Sequence, residues 1–303
     1  MPPTPHGDKL RAVLENAKLP DGDRPRVAAT VAKYAEWVKA LDAVTGDRAT
    51  IVREMVRLLN AYRMHIDIDL IFDSDADFLY RQKGQLKLDN TVLEEFLPWL
   101  VIKSLGTRLD GKRLLIGPAN CFAAVRFESD VGNVRAGGGM TLKSKDQDFA
   151  ITRKVYVKAS HNPDFTEAVQ SETAIAYVAA ECKTNLDKTM FQEAAATALD
   201  LRLAVPGAKY FLLCEWLDMT PISSSTTAIE QVIILRRGKR LGSNVRVNFA
   251  TAAGRQEAKK TFTEYLTKNP LSESSFAHFV DHLVRIFDGG DLTESQVIDR
   301  GWF

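Results

Sequence analysis

The sequence predicts an α/β fold with an N-terminal helical extension. Three features predict it: apolar residues at helical spacing through the first third, short β-branched and aromatic runs after it, and one capped helix set among those runs. Over residues 8–16, 25–43 and 48–62, Val, Leu, Ile, Met and Ala recur at helical spacing, with "DGDRP" and "TGD" as breaks. Residues 90–105, "NTVLEEFLPWLVIKSL", predict a further apolar-striped helix, with Asn90 as a candidate N-cap and Pro98 marking a kink or an early end. Strands are predicted in 112–129, 148–160, 174–183 and 209–219, where Val, Ile, Tyr and Phe sit in short runs bounded by Gly, Pro and Asn. Between the third and fourth, residues 186–208 predict a helix of about four turns, with Asp187 as cap and Pro-Gly as terminator. Residues 230–240 and 244–250 predict a hairpin, and 254–287 return to amphipathic helix. This divides the chain into a helical region, 1–87, and an α/β region, 88–303, that includes the C-terminal helices.

A length of 303 residues leaves one or two domains open and permits a sizeable core. With 45% hydrophobic and 26% charged residues, and no apolar stretch near membrane-spanning length, a soluble protein is expected. The start lacks a basic segment followed by an apolar one, so export is not expected. Three widely spaced cysteines, Cys121, Cys182 and Cys214, indicate neither a disulfide framework nor a zinc site, and a reducing cytoplasm fits. A net charge of +1 argues against coating nucleic acid through overall charge; any nucleic-acid site would have to come from local clusters of Lys and Arg.

The chemistry concentrates in "AIAYVAAECKTNLD". Alternation along a strand puts Glu181 and Lys183 on one face and Cys182 on the other, as a small core residue. Upstream, "KSKDQDFAITRKVYVKAS" offers Asp146 and Asp148 as a second carboxylate, provided the two strands lie side by side. Two carboxylates can hold one hard cation such as magnesium, with waters and a phosphate oxygen completing its shell. A lysine ammonium beside it can hold the attacking water or offset charge developing on the phosphate. Glu257 and Lys259 repeat the Glu-x-Lys spacing, but in a helical pattern, where i and i+2 do not face each other.

On the residues "KDQDFAITRKVYVKAS" and "AAECKTNLDKTMFQEA", the chain resembles the PD-(D/E)XK nuclease superfamily, and more closely a group of type II restriction endonucleases. The resemblance covers roughly residues 88–219 and implies a mixed-sheet nuclease core flanked by helices. It further implies Asp148 and Glu181 as metal ligands with the Cys182 carbonyl as a third, Lys183 as the catalytic lysine, and Mg2+ as cofactor with Mn2+ able to substitute. Gln147 stands where the family motif has Pro, which leaves Asp146 as an alternative to Asp148; Asp148 is preferred because it directly precedes the apolar "FAI". Gln192 and Glu193 occupy helix positions where related enzymes often place a polar residue near the metal, against the alternative of a solvated face. The reaction implied is sequence-specific cleavage of double-stranded DNA leaving 5′-phosphate ends, by a homodimer or higher homo-oligomer, since two strands need two sites. The helical region 1–87 is then available for dimerisation or DNA contacts, and a bacterial or archaeal cytoplasm is implied; a structure-specific repair nuclease and a non-cleaving DNA-binding regulator are the competing readings.

Elsewhere, Arg236, Arg237, Lys239, Arg240 and Arg246 form a basic run that reads either as a solvated turn or as a DNA-contacting loop. Residues 137–145, "GGGMTLKSK", read as a mobile loop that could bring Lys143 and Lys145 to DNA. His278 and His282 have the spacing of a helical zinc pair but lack a third ligand, so a packed helix is expected. Residues 65–77, acidic and alternating, lack the pattern of a calcium loop and read as a solvated connector.

Overall fold

The computed structural model describes residues 2–289 and 294–301. Helices α1 (Pro5–Glu15), α2 (Arg24–Ala43) and α3 (Arg48–Met64) form the N-terminal region, followed by α4 (Phe78–Gln85) and α5 (Thr91–Leu105). The sheet comprises β1 (Leu115–Phe127), β2 (Met140–Ala159), β3 (Val169–Leu186), β4 (Lys209–Leu217) and β5 (Ile229–Ile234), with α6 (Lys188–Ala204) crossing between β3 and β4. Helices α7 (Ser243–Arg246), α8 (Ala252–Lys268), α9 (Glu273–Asp288) and α10 (Glu294–Arg300) complete the chain.

The strands lie in the order β1-β2-β3-β4-β5. The first two pairings are antiparallel and the last two parallel, so the sheet is mixed. Alternation along β2 to β4 sends two sets of side chains to opposite faces. Phe149, Ile151, Val178, Cys182, Phe211 and Leu213 join the interior built by α1, α2, α3, α5 and α9. Ala150, Ala179, Tyr210, Leu212 and Cys214 instead pack against Phe191, Ala194, Ala198 and Leu201 of α6. The N-terminal helices therefore share one continuous interior with the sheet.

At the outer edge β1 also pairs with β3 at Cys121 and Ala174, so the first three strands curl on themselves. The curl brings the two hairpin tips together, where the Gly138 N–H donates to His161 Nε2 at 3.2 Å. Gly137 and Gly138 turn there with φ of +55° and +69°, and a Cβ on Gly137 would stand 2.5 Å from the Ala159 carbonyl oxygen. Residues 137–145 are thus not a mobile loop but a tight turn leading into β2, whose backbone is paired with β1 from Met140 onward.

Three other expectations are corrected. Residues 65–77 are not a solvated connector: His65–Phe72 continues α3 as a π-helix, with Ile66, Ile68, Leu70, Ile71 and Phe72 all buried. Asp67 within it is buried too, and is neutralised by Arg63 at 3.2 Å and Arg236 at 3.6 Å, so its charge does not require solvent. Residues 244–250 are helical and do not form a hairpin strand. The chain after β5 follows β4 instead, through hydrogen bonds such as Arg236 N–H to the Glu215 carbonyl and Leu217 N–H to the Gly238 carbonyl. Of the kink or early end expected at Pro98, the early end does not occur: helix α5 runs on to Leu105, its apolar residues held by the shared interior.

Asp187 caps α6 as expected, accepting from the Met190 N–H at 2.9 Å. Asn90 does not cap α5; its side chain makes no bond to that helix's N-terminal N–H groups and reaches the sheet instead.

Candidate active site

The pairing of β2 with β3 ends at Phe149 and Ala180, one residue short of the predicted acids on each strand. Past that point the side chain of Asp148 substitutes for the missing backbone acceptor: its Oδ2 accepts the Cys182 N–H at 2.8 Å. The aspartate is thereby fixed beside the residue that lies between Glu181 and Lys183. Those two share a face, as a period of two requires, with Lys183 Nζ 2.6 Å from Glu181 Oε1. The second glutamate oxygen accepts from the Tyr210 hydroxyl at 2.8 Å, from the neighbouring strand β4. Side-chain exposures of 18%, 21% and 24% for Asp148, Glu181 and Lys183 leave all three partly covered yet within reach of solvent.

Burial pushes the Asp148 carboxyl above its ordinary value, an effect that Lys87 and the Cys182 N–H partly offset. For Lys183, burial pulls the ammonium down, but the hydrogen bond and charge of Glu181, with Asp148 and Glu193, outweigh it and leave its pKa raised. The lysine is therefore a full positive charge across the neutral range.

Four residues that the sequence reading did not assign to the site complete the surroundings, Asn90 among them, which it had taken for a helix cap. Lys87 Nζ stands 3.7 Å from Asp148 Oδ1. Asn90 Nδ2 donates to the Cys182 carbonyl at 3.1 Å and approaches Glu94 Oε1 at 3.4 Å. Burial and the nearby charge of Asp148 raise Glu94 to about 7. The fourth is Tyr210. A signal for Glu94 was available: it and Glu95 are two acids inside an otherwise apolar helical stripe, and buried acids call for partners.

Other predicted residues fall at differing places. Asp146 is exposed and its Oδ1 accepts from Asn120 on β1 at 2.7 Å. Gln192 and Glu193 are exposed on α6, and Glu193 acts on Lys183 through its charge. Lys143 and Lys145 both pair with Asp200 of α6 at 3.2 Å. Arg236 is not a DNA-facing residue: it is 5% exposed, pairs with Glu215 at 2.8 Å and lies over the Trp216 ring. Arg237 and Lys239 are exposed, Arg240 pairs with Asp218, and Arg246 donates to the Leu241 carbonyl. Lys259 of the second Glu-x-Lys pair is bound to Asp73 at 2.6 Å, on α8. His278 and His282 contact each other edge to face on α9, with His282 also against Phe211.

Among the described residues no group of three His, Cys, Asp or Glu side chains forms a closed metal cage. The oxygens of Asp148 and Glu181 fit a hard cation that keeps waters and a substrate phosphate in its shell. Cys182 offers no thiolate: its side chain is buried, and burial pushes its thiol well up.

A family model described as Bpu10I restriction endonuclease matches residues 85–303. The chain belongs to this family. It is therefore a restriction endonuclease, a site-specific nuclease that hydrolyses DNA, and the matched segment holds β1 to β5 with every residue of the candidate site described above. No curated protein matches the chain. Among solved structures, one titled "native BbvCI A2B2 tetramer at low resolution" is similar, at 17% identity and a TM-score of 0.48, over 86% of this chain and 96% of that one. No helix of the described residues is long and apolar enough to cross a membrane.

Proposed function

We propose that this restriction endonuclease hydrolyses double-stranded DNA with Mg2+ held by Asp148 and Glu181, with the Cys182 carbonyl as a further ligand, and with Lys183 as the catalytic lysine. One observation carries the reading: the side chain of Asp148 is bonded to the backbone between Glu181 and Lys183, so two carboxylates and an ammonium meet at one strand end. The cation supplies Lewis acidity toward the phosphate and lowers the pKa of a bound water.

The chain's own groups account for the rest. Asp148 is oriented by the Cys182 N–H and Glu181 by the Tyr210 hydroxyl, so neither carboxylate has to be ordered when DNA arrives. Lys183 is held charged by its acidic neighbours and can position the attacking water or meet the negative charge that develops on the phosphate. The Cys182 carbonyl, with Asn90 donating into it, keeps a lone pair for the cation. Products with 5′-phosphate and 3′-hydroxyl ends follow from water attacking phosphorus with the 3′ oxygen leaving. Lys143, Lys145, Arg237, Lys239 and Arg240 are assigned to phosphate contacts, and cleavage of both strands of a duplex calls for two copies of the site, in a homodimer or larger assembly. Mn2+ is expected to substitute for Mg2+, and the working compartment is the cytoplasm of a bacterial or archaeal cell.

The test is incubation with a large defined DNA and Mg2+, beside EDTA and Lys183→Ala controls. Discrete fragments that vanish in both controls support the reading. Fragments that persist in EDTA, or with Lys183→Ala at the wild-type rate, refute the assignment of metal or lysine respectively.

A further inference from the structure

A second ammonium stands at the same site. Lys87, in the connection between α4 and α5, lies 3.7 Å from Asp148 Oδ1, while Oδ2 is taken by the Cys182 N–H. Lys87 thus stands at the Asp148 oxygen opposite the one bonded to the backbone, on the side open to solvent. On the other carboxylate, Lys183 takes Oε1 of Glu181 and Tyr210 takes Oε2. Two lysines thus face the negative charge of these two carboxylates.

Two further observations set Lys87 apart from an incidental surface pair. Its backbone is left-handed, with φ of +51°, which for a residue with a Cβ costs on the order of 1 kcal/mol and persists only where the surroundings impose it. The surroundings are visible: Leu88 next to it is fully buried, and the Lys87 carbonyl accepts from the Thr91 N–H at 2.9 Å, which ties this turn to the start of α5. The side chain itself is 59% exposed, so its ammonium can leave Asp148 without unpacking anything.

We propose that Lys87 is a resident counter-ion of Asp148 that is displaced toward a DNA phosphate when a divalent cation takes that oxygen, so that metal and DNA binding are coupled through one side chain. The proposal rests on the reading of Asp148 as a metal ligand. Its physical basis is that an ammonium and a divalent cation repel at one carboxylate oxygen, and a nearby phosphate gives the ammonium another anion to meet. Such coupling is reciprocal: whatever DNA does for metal affinity, metal does for DNA affinity. Lys87 is a positioning residue here, acting through Asp148 and not on the scissile bond.

The measurement is Mn2+ binding by calorimetry to the full chain, without DNA and then with a short duplex of random sequence. Lys87→Gln is expected to bind Mn2+ roughly fivefold or more tightly than wild type without DNA, the lower end of common coupling strengths. The duplex is expected to raise Mn2+ affinity in wild type and much less in Lys87→Gln, while the charge-keeping Lys87→Arg follows wild type. A merely structural role for Lys87 would lower stability without tightening metal binding. Equal Mn2+ affinities in wild type and Lys87→Gln overturn the counter-ion proposal and leave the metal site standing. Absence of Mn2+ binding to wild type and Lys87→Gln alike, with and without the duplex, overturns both.

Discussion

Glu94→Gln separates an acid that is buried for structure from one held near neutrality. The Glu94 side chain is 8% exposed on α5, and burial, aided by the charge of Asp148, raises its pKa from the usual 4.5 to about 7. A carboxyl that binds its proton more tightly in the folded state contributes stability that is complete below pH 4.5 and lost as pH rises through about 7. At about 1.4 kcal/mol per tenfold change in proton affinity, the ionised form costs the fold about 3 kcal/mol above pH 7. The amide keeps the shape of the protonated acid and never ionises. In chelator, urea unfolding at pH 8 should therefore place the Glu94→Gln midpoint about 1 M above wild type, for a denaturant slope of about 3 kcal/mol per molar. At pH 4.5 the two midpoints should nearly coincide. A Glu94→Gln gain of the same size at both pH values would refute the reasoning, because it would mean that packing, not ionisation, sets the difference. Asp148→Asn supplies the internal control: with the neighbouring charge gone, the pH dependence of Glu94 should shrink but persist, since burial is the larger cause.

Further outcomes follow from the same geometry. Lys183→Ala should lower the cleavage rate by about 10²- to 10³-fold, the scale for losing one charge stabiliser, with the circular dichroism spectrum unchanged. Arg236→Ala should destabilise the protein by about 3–5 kcal/mol in chemical unfolding, because it leaves Glu215 and Asp67 buried with one partner fewer, whereas exposed Arg237→Ala should stay within about 0.5 kcal/mol. Glu95→Ala should cost about 3 kcal/mol, because that carboxylate accepts from the His6 and Gly7 N–H groups and from the Tyr34 hydroxyl, leaving three buried donors unpaired. An unfolding midpoint indistinguishable from wild type would refute either of the last two.

What the sequence made legible was local. Alternating β-branched runs become strands because each has one face to bury, and Glu181 and Lys183 share a face because spacing of two along a strand leaves no choice. The remaining neighbours of that pair come from contacts that no window spans: Asp148 meets Cys182 across 34 residues, Tyr210 meets Glu181 across 29, and Asn90 reaches the Cys182 carbonyl across 92. Residues 65–77 misled for a related reason, since alternating Ile and Asp reads as half-solvated until the partners of Asp67 are known. Those partners were signalled nonetheless. Arg63 lies on the apolar side of a helical stripe and Glu215 inside the apolar run "KYFLLCEWLDM", and buried charges occur in compensating sets. Three isolated charges, Arg63, Asp67 and Glu215, sum to one negative and call for a further cation, which the structure supplies as Arg236. The basic run after β5 thus divides by depth. Arg236 holds helix, π-helix and sheet together, so a test of phosphate contacts by this run belongs on its exposed members, Arg237 and Lys239: if they make the contacts proposed above, replacing each with Ala should lower the salt slope of DNA binding by about one, and an unchanged slope would refute the assignment.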